Sequence, residues 1–405
     1  MDRMKVMDLF CGTGGFSKGF ENTGLFEVVY GIDMLPWSVK TFQMNHRRAL
    51  GLTADIRTAR RKEMAERIGL GAGDIDVIIG GPPCQGFSSI RPFRSSKEDD
   101  PRNTLFEEFA SHVNYFRPRA FVLENVVGLA THRDGETLGQ IQETFAAFGY
   151  ETDWRILNSA HFGVPQKRER LILLGVEAGL TLSWPAPTHR GEFRTIGHWR
   201  SERMLKPQPG DLFSLGDDDL PAALTVADAI DDLPPVASGE EATSYTLPPR
   251  TRYQRERREN SSSLALHAST RHTAKMLEII RHSGPSIASI PSHLITSGFS
   301  SCYSRLDADE PAPTITVNFI HPASNKCIHP SQDRALTVRE GARIQSFDDT
   351  FLFAGINRSL IAKQIGNAVP PLLGRVIAEA VTRSLGVNVG SEAKAAAELV
   401  SSQAV

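Results

Sequence analysis

The sequence predicts an α/β protein with a mostly parallel sheet, joined to a smaller and irregular second region. Two observations lead there. Over residues 1–185, short apolar runs alternate with helix-patterned stretches, the rhythm of a parallel sheet covered on both faces. From "WPAPTHR" (184–190) that rhythm fails, and Pro, Gly, Ser and charged residues dominate to about residue 333. The 405 residues leave room for about two or three domains. With 40% hydrophobic and 23% charged residues, the composition is that of a soluble globular protein.

The elements follow in order. "KVMDLF" (5–10) reads as the first strand and runs into "CGTGGF". Glycines 12, 14 and 15 allow a tight turn and close approach of a ligand to bare backbone. The dinucleotide fingerprint asks for a sixth-position glycine; counting from Gly12 that position is Ser17, so the fit to NAD is poor, and a plain strand–helix turn stays open. "FEVVYGI" (26–32) is the second strand. Asp33 ends it, where an acid accepts from ribose hydroxyls, and Asp55 stands at another strand end. Ribose and adenine contacts without a phosphate-cradling loop suggest an adenosine ligand lacking phosphates, such as S-adenosylmethionine. A capping or solvated role for either acid stays open.

"DVIIG" (76–80) is the next strand, and it leads into "GPPCQGFSS" (81–89). Two prolines fix φ and two glycines let the chain turn, which is much backbone constraint spent on one thiol, Cys84. A rigid turn is the plainer alternative. A thiol needs a nearby cation or helix terminus to become a nucleophile. Glu124 ends the apolar strand "AFVLEN" (120–125), where a carboxylate is costly unless paired or shifted in pKa. "QKRER" (166–170) precedes the strand "RLILLGV" (170–176); Arg168 and Arg170 are two apart and would share one side of an extended chain. Further on, "TVREGARIQSF" (337–347) reads as a helix. So does "NAVPPLLGRVIAEAVTRSL" (367–385), with prolines at its start and Leu372, Leu373, Val376, Ile377 and Ala380 on one stripe. Two basic stretches, 189–206 and 250–258, read either as solvated faces or as contacts to a polyanion.

Thiol, acid and arginines describe a reaction. A thiolate adds to an electron-poor ring carbon, a carboxylic acid engages the ring nitrogen, a guanidinium holds the carbonyl oxygen, and the resulting enamine carbon attacks a methyl sulfonium. Other chemistries are excluded. The four cysteines (11, 84, 302, 327) form no C-x-x-C pair, which argues against zinc and disulfides. Zinc-dependent deamination needs P-C-x-x-C, and Phe87 holds the second cysteine position. No run is long enough to span a membrane, and residues 1–10 show no signal-peptide pattern.

Six ordered motifs, "DLFCGTGGF" (8–16), "GGPPCQGFS" (80–88), "ENV" (124–126), "QKRER" (166–170), "RALTVREGARIQSF" (334–347) and "QIGNAVPP" (364–371), resemble the DNA cytosine-5 methyltransferase family of the bacterial restriction-modification type. The resemblance implies a Rossmann-like S-adenosylmethionine-dependent domain plus a target-recognition domain. It implies Cys84 as the nucleophile on cytosine C6, Glu124 at N3 and the exocyclic amino group, and Arg168 and Arg170 orienting a flipped base, with Arg170 at O2. Phe10, Gly12, Gly14, Asp33, Met34, Asp55, Ile56, Pro83, Leu105, Asn367 and Ala368 would line the cofactor, which leaves as S-adenosylhomocysteine; no metal is expected. Many relatives carry glutamate where Asp33 stands and tryptophan where Met34 follows.

Gln85, Ser88, Arg91 and Arg94 would contact DNA from a closing loop. The expected divisions are 1–185 for catalysis and cofactor, 186–333 for target recognition, 334–362 as a hinge, 363–387 returning to the first domain, and 388–405 as a disordered tail. The expected setting is a cytoplasmic, nucleoid-associated monomer acting on double-stranded DNA, with a cognate restriction endonuclease acting separately and no membrane partner. A tRNA cytosine-5 methyltransferase and a non-catalytic DNA-binding regulator are the alternatives.

Overall fold

The computed structural model describes residues 2–82, 104–193, 220–295 and 298–387. The closing loop (85–103), most of the 189–206 stretch and the tail expected to be disordered lie outside the described residues. The strands are β1 (Met4–Leu9), β2 (Phe26–Asp33), β3 (Leu50–Thr53), β4 (Val77–Gly80), β5 (Ala120–Asn125), β6 (Tyr150–Asn158), β7 (Gln166–Lys167), β8 (Glu169–Glu177) and β9 (Ala312–Pro313). Seven of them form one sheet in the order β3-β2-β1-β4-β5-β8-β6. Neighbours from β3 to β5 pair in parallel. Strand β8 runs antiparallel between β5 and β6. The two-residue strands β7 and β9 pair separately.

The helices are α1 (Gly15–Glu21), α2 (Pro36–Asn45), α3 (Arg61–Ile68), α4 (Thr104–Phe116), α5 (Glu136–Ala147), α6 (Val226–Ile230), α7 (Arg252–Arg258), α8 (Ala274–Arg281), α9 (Val338–Ile344), α10 (Arg358–Asn367) and α11 (Pro371–Ser384). Successive strand residues point to opposite faces, and both faces are buried. Met7, Leu9, Ile32 and Phe121 pack with Phe109 and Val113 of α4 and Phe145 of α5. Val6, Val28, Ile79 and Ile172 pack with Phe16 and Phe20 of α1 and Leu373, Ile377 and Val381 of α11. Each such side chain contributes about 1.5–3 kcal/mol by leaving water. A third group, including Ile230, Tyr253, Phe319, Leu336, Phe347 and Ile365, forms a second core from residues on both sides of position 333.

The five strand runs read from the sequence appear within one residue at most ends. Strands β3 and β6 of the sheet and the short pair β7 and β9 are additional. Strand β6 begins "YETD", with its polar residues part-exposed, so it shows no apolar run. On α11 the buried stripe is Leu373, Ile377, Ala380 and Val381, while Leu372 and Val376 are only half-buried. The basic stretch at 250–258 is split between interior and surface. Arg257 pairs with Asp348 at 2.9 Å and Arg258 with Asp232 at 3.2 Å, while Arg250, Arg252 and Arg255 are exposed.

Candidate active site

Strand order reverses between β1 and β4, and ligands of open α/β sheets sit at the carboxyl ends of the strands at such a point. The two loops singled out in the sequence leave from there: the glycine loop after β1 and the Gly81–Pro82 turn after β4. Phe10 enters the first loop with φ +69°, Gly12 follows at +49° and Gly14 at +84°. A left-handed non-glycine residue carries strain of about 1–3 kcal/mol, and here it marks the start of the turn. Asp33 organises the loop, accepting from Gly12 N at 3.0 Å and Leu35 N at 2.9 Å. Burial raises its pKa, partly offset by these hydrogen bonds. Asp8 lies beneath, 2% exposed, and accepts from Ser17 Oγ at 2.6 Å. Burial pushes its carboxyl up to about 7.

Two features fit a ligand lying on this loop. Among the described residues, a Cβ at Gly12 would meet no atom within 4 Å, so they leave its backbone open to approach. The Thr13 hydroxyl is buried and has no hydrogen-bond partner among the described residues. Met34 is 65% exposed beside Asp33, Ile56 is buried, and Leu105 packs half-buried against the first core. Asp55 carries a local ion pair. It stands past the end of β3, but its Oδ1 accepts from both Arg57 N and Nε at 3.0 Å and its Oδ2 from Arg57 Nε at 3.1 Å. Arg57 thereby lowers its pKa, so any adenine contact competes with that pairing.

The second half of the site lies across β4, β5 and β8. Glu124 Oε1 is 2.7 Å from Arg170 Nε; pairing is how this strand-end carboxylate is accommodated. A Cβ on Gly81 would lie 2.9 Å from Glu124 Oε2, so the acid borders the turn that leads to Cys84. Asn125 Nδ2 donates to Pro82 O at 3.2 Å, fixing that turn to the "ENV" segment. Arg168 differs from Arg170. It is 2% exposed and donates to Gly366 O at 3.1 Å, and burial with the nearby Arg170 charge drives its pKa down. One nitrogen of its guanidinium is thus tied to the backbone of "QIGNAVPP", while its Nε has no hydrogen-bond partner among the described residues. Pro83, Cys84, Gln85, Ser88, Arg91 and Arg94 lie outside the described residues.

The "QIGNAVPP" segment closes on the glycine loop: a Cβ at Gly15 would lie 2.4 Å from Val369 O and 3.4 Å from Ala368 Cβ. Asn367 is exposed at the end of α10. Residues that sequence reasoning missed hold this closure. Thr41 on α2 donates to Gln364 Oε1 at 2.6 Å and accepts from Ala354 N at 2.8 Å. His46 sits under the loop, with Nε2 donating to Gly14 O at 3.1 Å and Nδ1 2.9 Å from Glu21 Oε2. Polar residues on α2 were the available signal, but nothing in sequence gives their distant partners.

The C-5 cytosine-specific DNA methylase model matches residues 4–383, and the chain belongs to that family. It is a DNA (cytosine-5)-methyltransferase with S-adenosylmethionine as methyl donor, of a family that works through a cysteine adduct. Among curated relatives, the Type II methyltransferase M.AgeI of Thalassovita gelatinovora is 34% identical over 93% of this chain and 99% of its own. M1.HphI of Haemophilus parahaemolyticus is also 34% identical, over 94% of this chain and 87% of its own. Among solved structures, a putative DNA modification methyltransferase from an E. coli prophage aligns with a TM-score of 0.70 at 23% identity, covering 95% of this chain and 99% of its own. A DNMT2 mutant from Spodoptera frugiperda aligns at 0.58 and 14%, covering 93% and 99%. These structural likenesses bear on the fold. No helix among the described residues is long and apolar enough to cross a membrane.

Proposed function

We propose that this enzyme methylates a flipped-out cytosine within a specific sequence of duplex DNA through a covalent bond to Cys84. The observation that carries the reading is the Glu124–Arg170 pair, 2.7 Å apart and beside the turn leading to Cys84. A cytosine ring seated there would present N3 and its amino group to Glu124 and O2 to Arg170. Cys84 Sγ bonds to C6 as electron density moves toward C5 and the ring carbonyl, and the two side chains stabilise that shift. When bound, S-adenosylmethionine supplies an electrophilic methyl group to C5. Loss of the C5 proton then expels Sγ and restores the ring.

Phe10, Gly12, Gly14, Asp33, Met34, Ile56, Pro83, Leu105, Asn367 and Ala368 would hold the cofactor, with Asp55 sharing its carboxylate between adenine and Arg57. Extracting the base costs a few kcal/mol, which phosphate contacts from Gln85, Ser88, Arg91 and Arg94 would offset. Residues 186–333 would read the target sequence, 334–362 would serve as the hinge, and 363–387 would return to the catalytic unit of 1–185. The enzyme would act as a cytoplasmic, nucleoid-associated monomer beside a separate cognate endonuclease. A duplex carrying 5-fluorocytosine at the target tests the chemistry, since fluorine cannot leave as a proton does. The parent should form a denaturant-resistant DNA adduct and Cys84→Ser none. An active parent without adduct, or an active Cys84→Ser enzyme, refutes the mechanism. Methyl transfer to tRNA in preference to duplex DNA would refute the substrate.

A further inference from the structure

We propose that Gln166 and Gln345 are positioning residues that lock the arm holding the target base to the segment holding the cofactor. The proposal rests on the reading above, which puts Arg170 at the base and Asn367 at the cofactor. Both glutamines are fully buried. Gln345 Nε2 donates to Ile365 O at 2.8 Å and Ala368 O at 3.1 Å. Its Oε1 accepts from Gln166 Nε2 at 2.6 Å, and Gln166 Oε1 accepts from Ile315 N at 2.9 Å. The backbone alone dictates both amide orientations. Two carbonyls require the Gln345 nitrogen, so its oxygen faces Gln166, which must present its own nitrogen there and its oxygen to the Ile315 amide.

Arg168, two residues beyond Gln166, takes the intervening carbonyl of Gly366 at 3.1 Å. Two residues further, Arg170 meets Glu124. The carbonyls flanking Asn367 are therefore held from the "QKRER" turn, directly by Arg168 and through Gln345 by Gln166. Neither end can shift without leaving a buried amide unpaired, which is costly, and small misplacements of reacting groups reduce rates steeply.

The test uses the full-length enzyme, calorimetric titration with S-adenosylmethionine, single-turnover methylation of unmethylated plasmid DNA at saturating cofactor, and melting curves to set a temperature well below unfolding. Gln166→Leu touches none of the cofactor segment, yet should weaken cofactor binding about 10-fold and slow the single turnover. Gln345→Leu should do the same. The double variant should lose less than the sum of the two singles, because the bond between the glutamines is shared and can be lost only once. If a Leu variant does not fold, Gln166→Glu carries the test, since it keeps the oxygen for Ile315 and loses the donated bond. Cofactor affinity within about two-fold of the parent in a folded Gln166 variant, or additive losses in the double, overturns the coupling. Asn367→Ala separates the claims. Lost affinity there with an unchanged Gln166 variant refutes the coupling alone, whereas unchanged affinity there refutes the cofactor assignment on which the coupling depends.

Discussion

Asp8 lies one residue before the end of its strand and two before the left-handed Phe10, buried and with its carboxyl raised to about 7. An unfolded aspartate titrates near 3.9, so between those values the native state binds the extra proton and stability falls as pH rises. The full effect is on the order of 4 kcal/mol, complete above about pH 7. Asp8→Asn can still accept from Ser17 and removes the titration. Its stability relative to the parent should rise between about pH 4 and pH 7 and level off above; thermal melts across that range check it, and a pH-independent difference contradicts it. Asp33 and Glu124 were legible as acids at strand ends. Parity along an extended chain puts Arg168 and Arg170 on one side, and only the family resemblance set Arg170 apart, at O2. The structure adds that Arg168 meets a carbonyl 198 residues away, beyond the reach of local pattern.

Helices α1 and α11 meet backbone to backbone. A Cβ on Gly19 would lie 2.5 Å from the Gly374 carbonyl carbon, so any side chain there forces the helices apart. Overpacking of this kind costs about 1–3 kcal/mol. Gly19→Val should lower the urea midpoint accordingly, with Gly19→Ala between it and the parent. Because α1 starts directly from the glycine loop, cofactor affinity should fall in parallel. Equal midpoints in all three proteins would remove this contact from the account. Periodicity and prolines announced α11, and apolar runs announced β1, β2, β4, β5 and β8. Strand β6 escaped because its first half carries Glu151, Thr152 and Asp153 and is held by pairing to β8, not by its own hydrophobicity.

In the molecule as a whole, buried charge ties the segment 334–349 together and joins it to Asp232. Arg334 donates to Glu340 through two nitrogens at 2.6 and 2.8 Å. Arg343 reaches both Asp349, at 2.6 Å, and Asp232, at 3.2 Å. Burial alone would raise the pKa of Glu340, but Arg334 overrides it and holds the carboxyl well below the usual range. The stability this pair provides is present above the unfolded pKa near 4.3 and is lost as pH falls through the folded value. Removing one partner strands a charge, so Glu340→Gln should destabilise by about 3–5 kcal/mol, whereas Arg334→Met with Glu340→Met should recover most of the loss. Denaturant titration decides it; a single variant as stable as the double would show that the charges do not depend on each other. The motif "RALTVREGARIQSF" was visible in sequence, but the burial of its arginines was not, since basic residues default to solvent.

The sequence by itself determined five strands of the sheet, the loops at its carboxyl ends, and the thiol, acid and arginine types that cytosine chemistry needs, because strand and turn formation and residue chemistry are local properties written in short stretches. Tertiary structure alone decided which arginine meets Glu124, that Arg57 occupies Asp55, and that Thr41, His46, Gln166 and Gln345 hold the site together. Those outcomes depend on which buried polar groups find partners tens to hundreds of residues away, and only the packed chain sets that pairing.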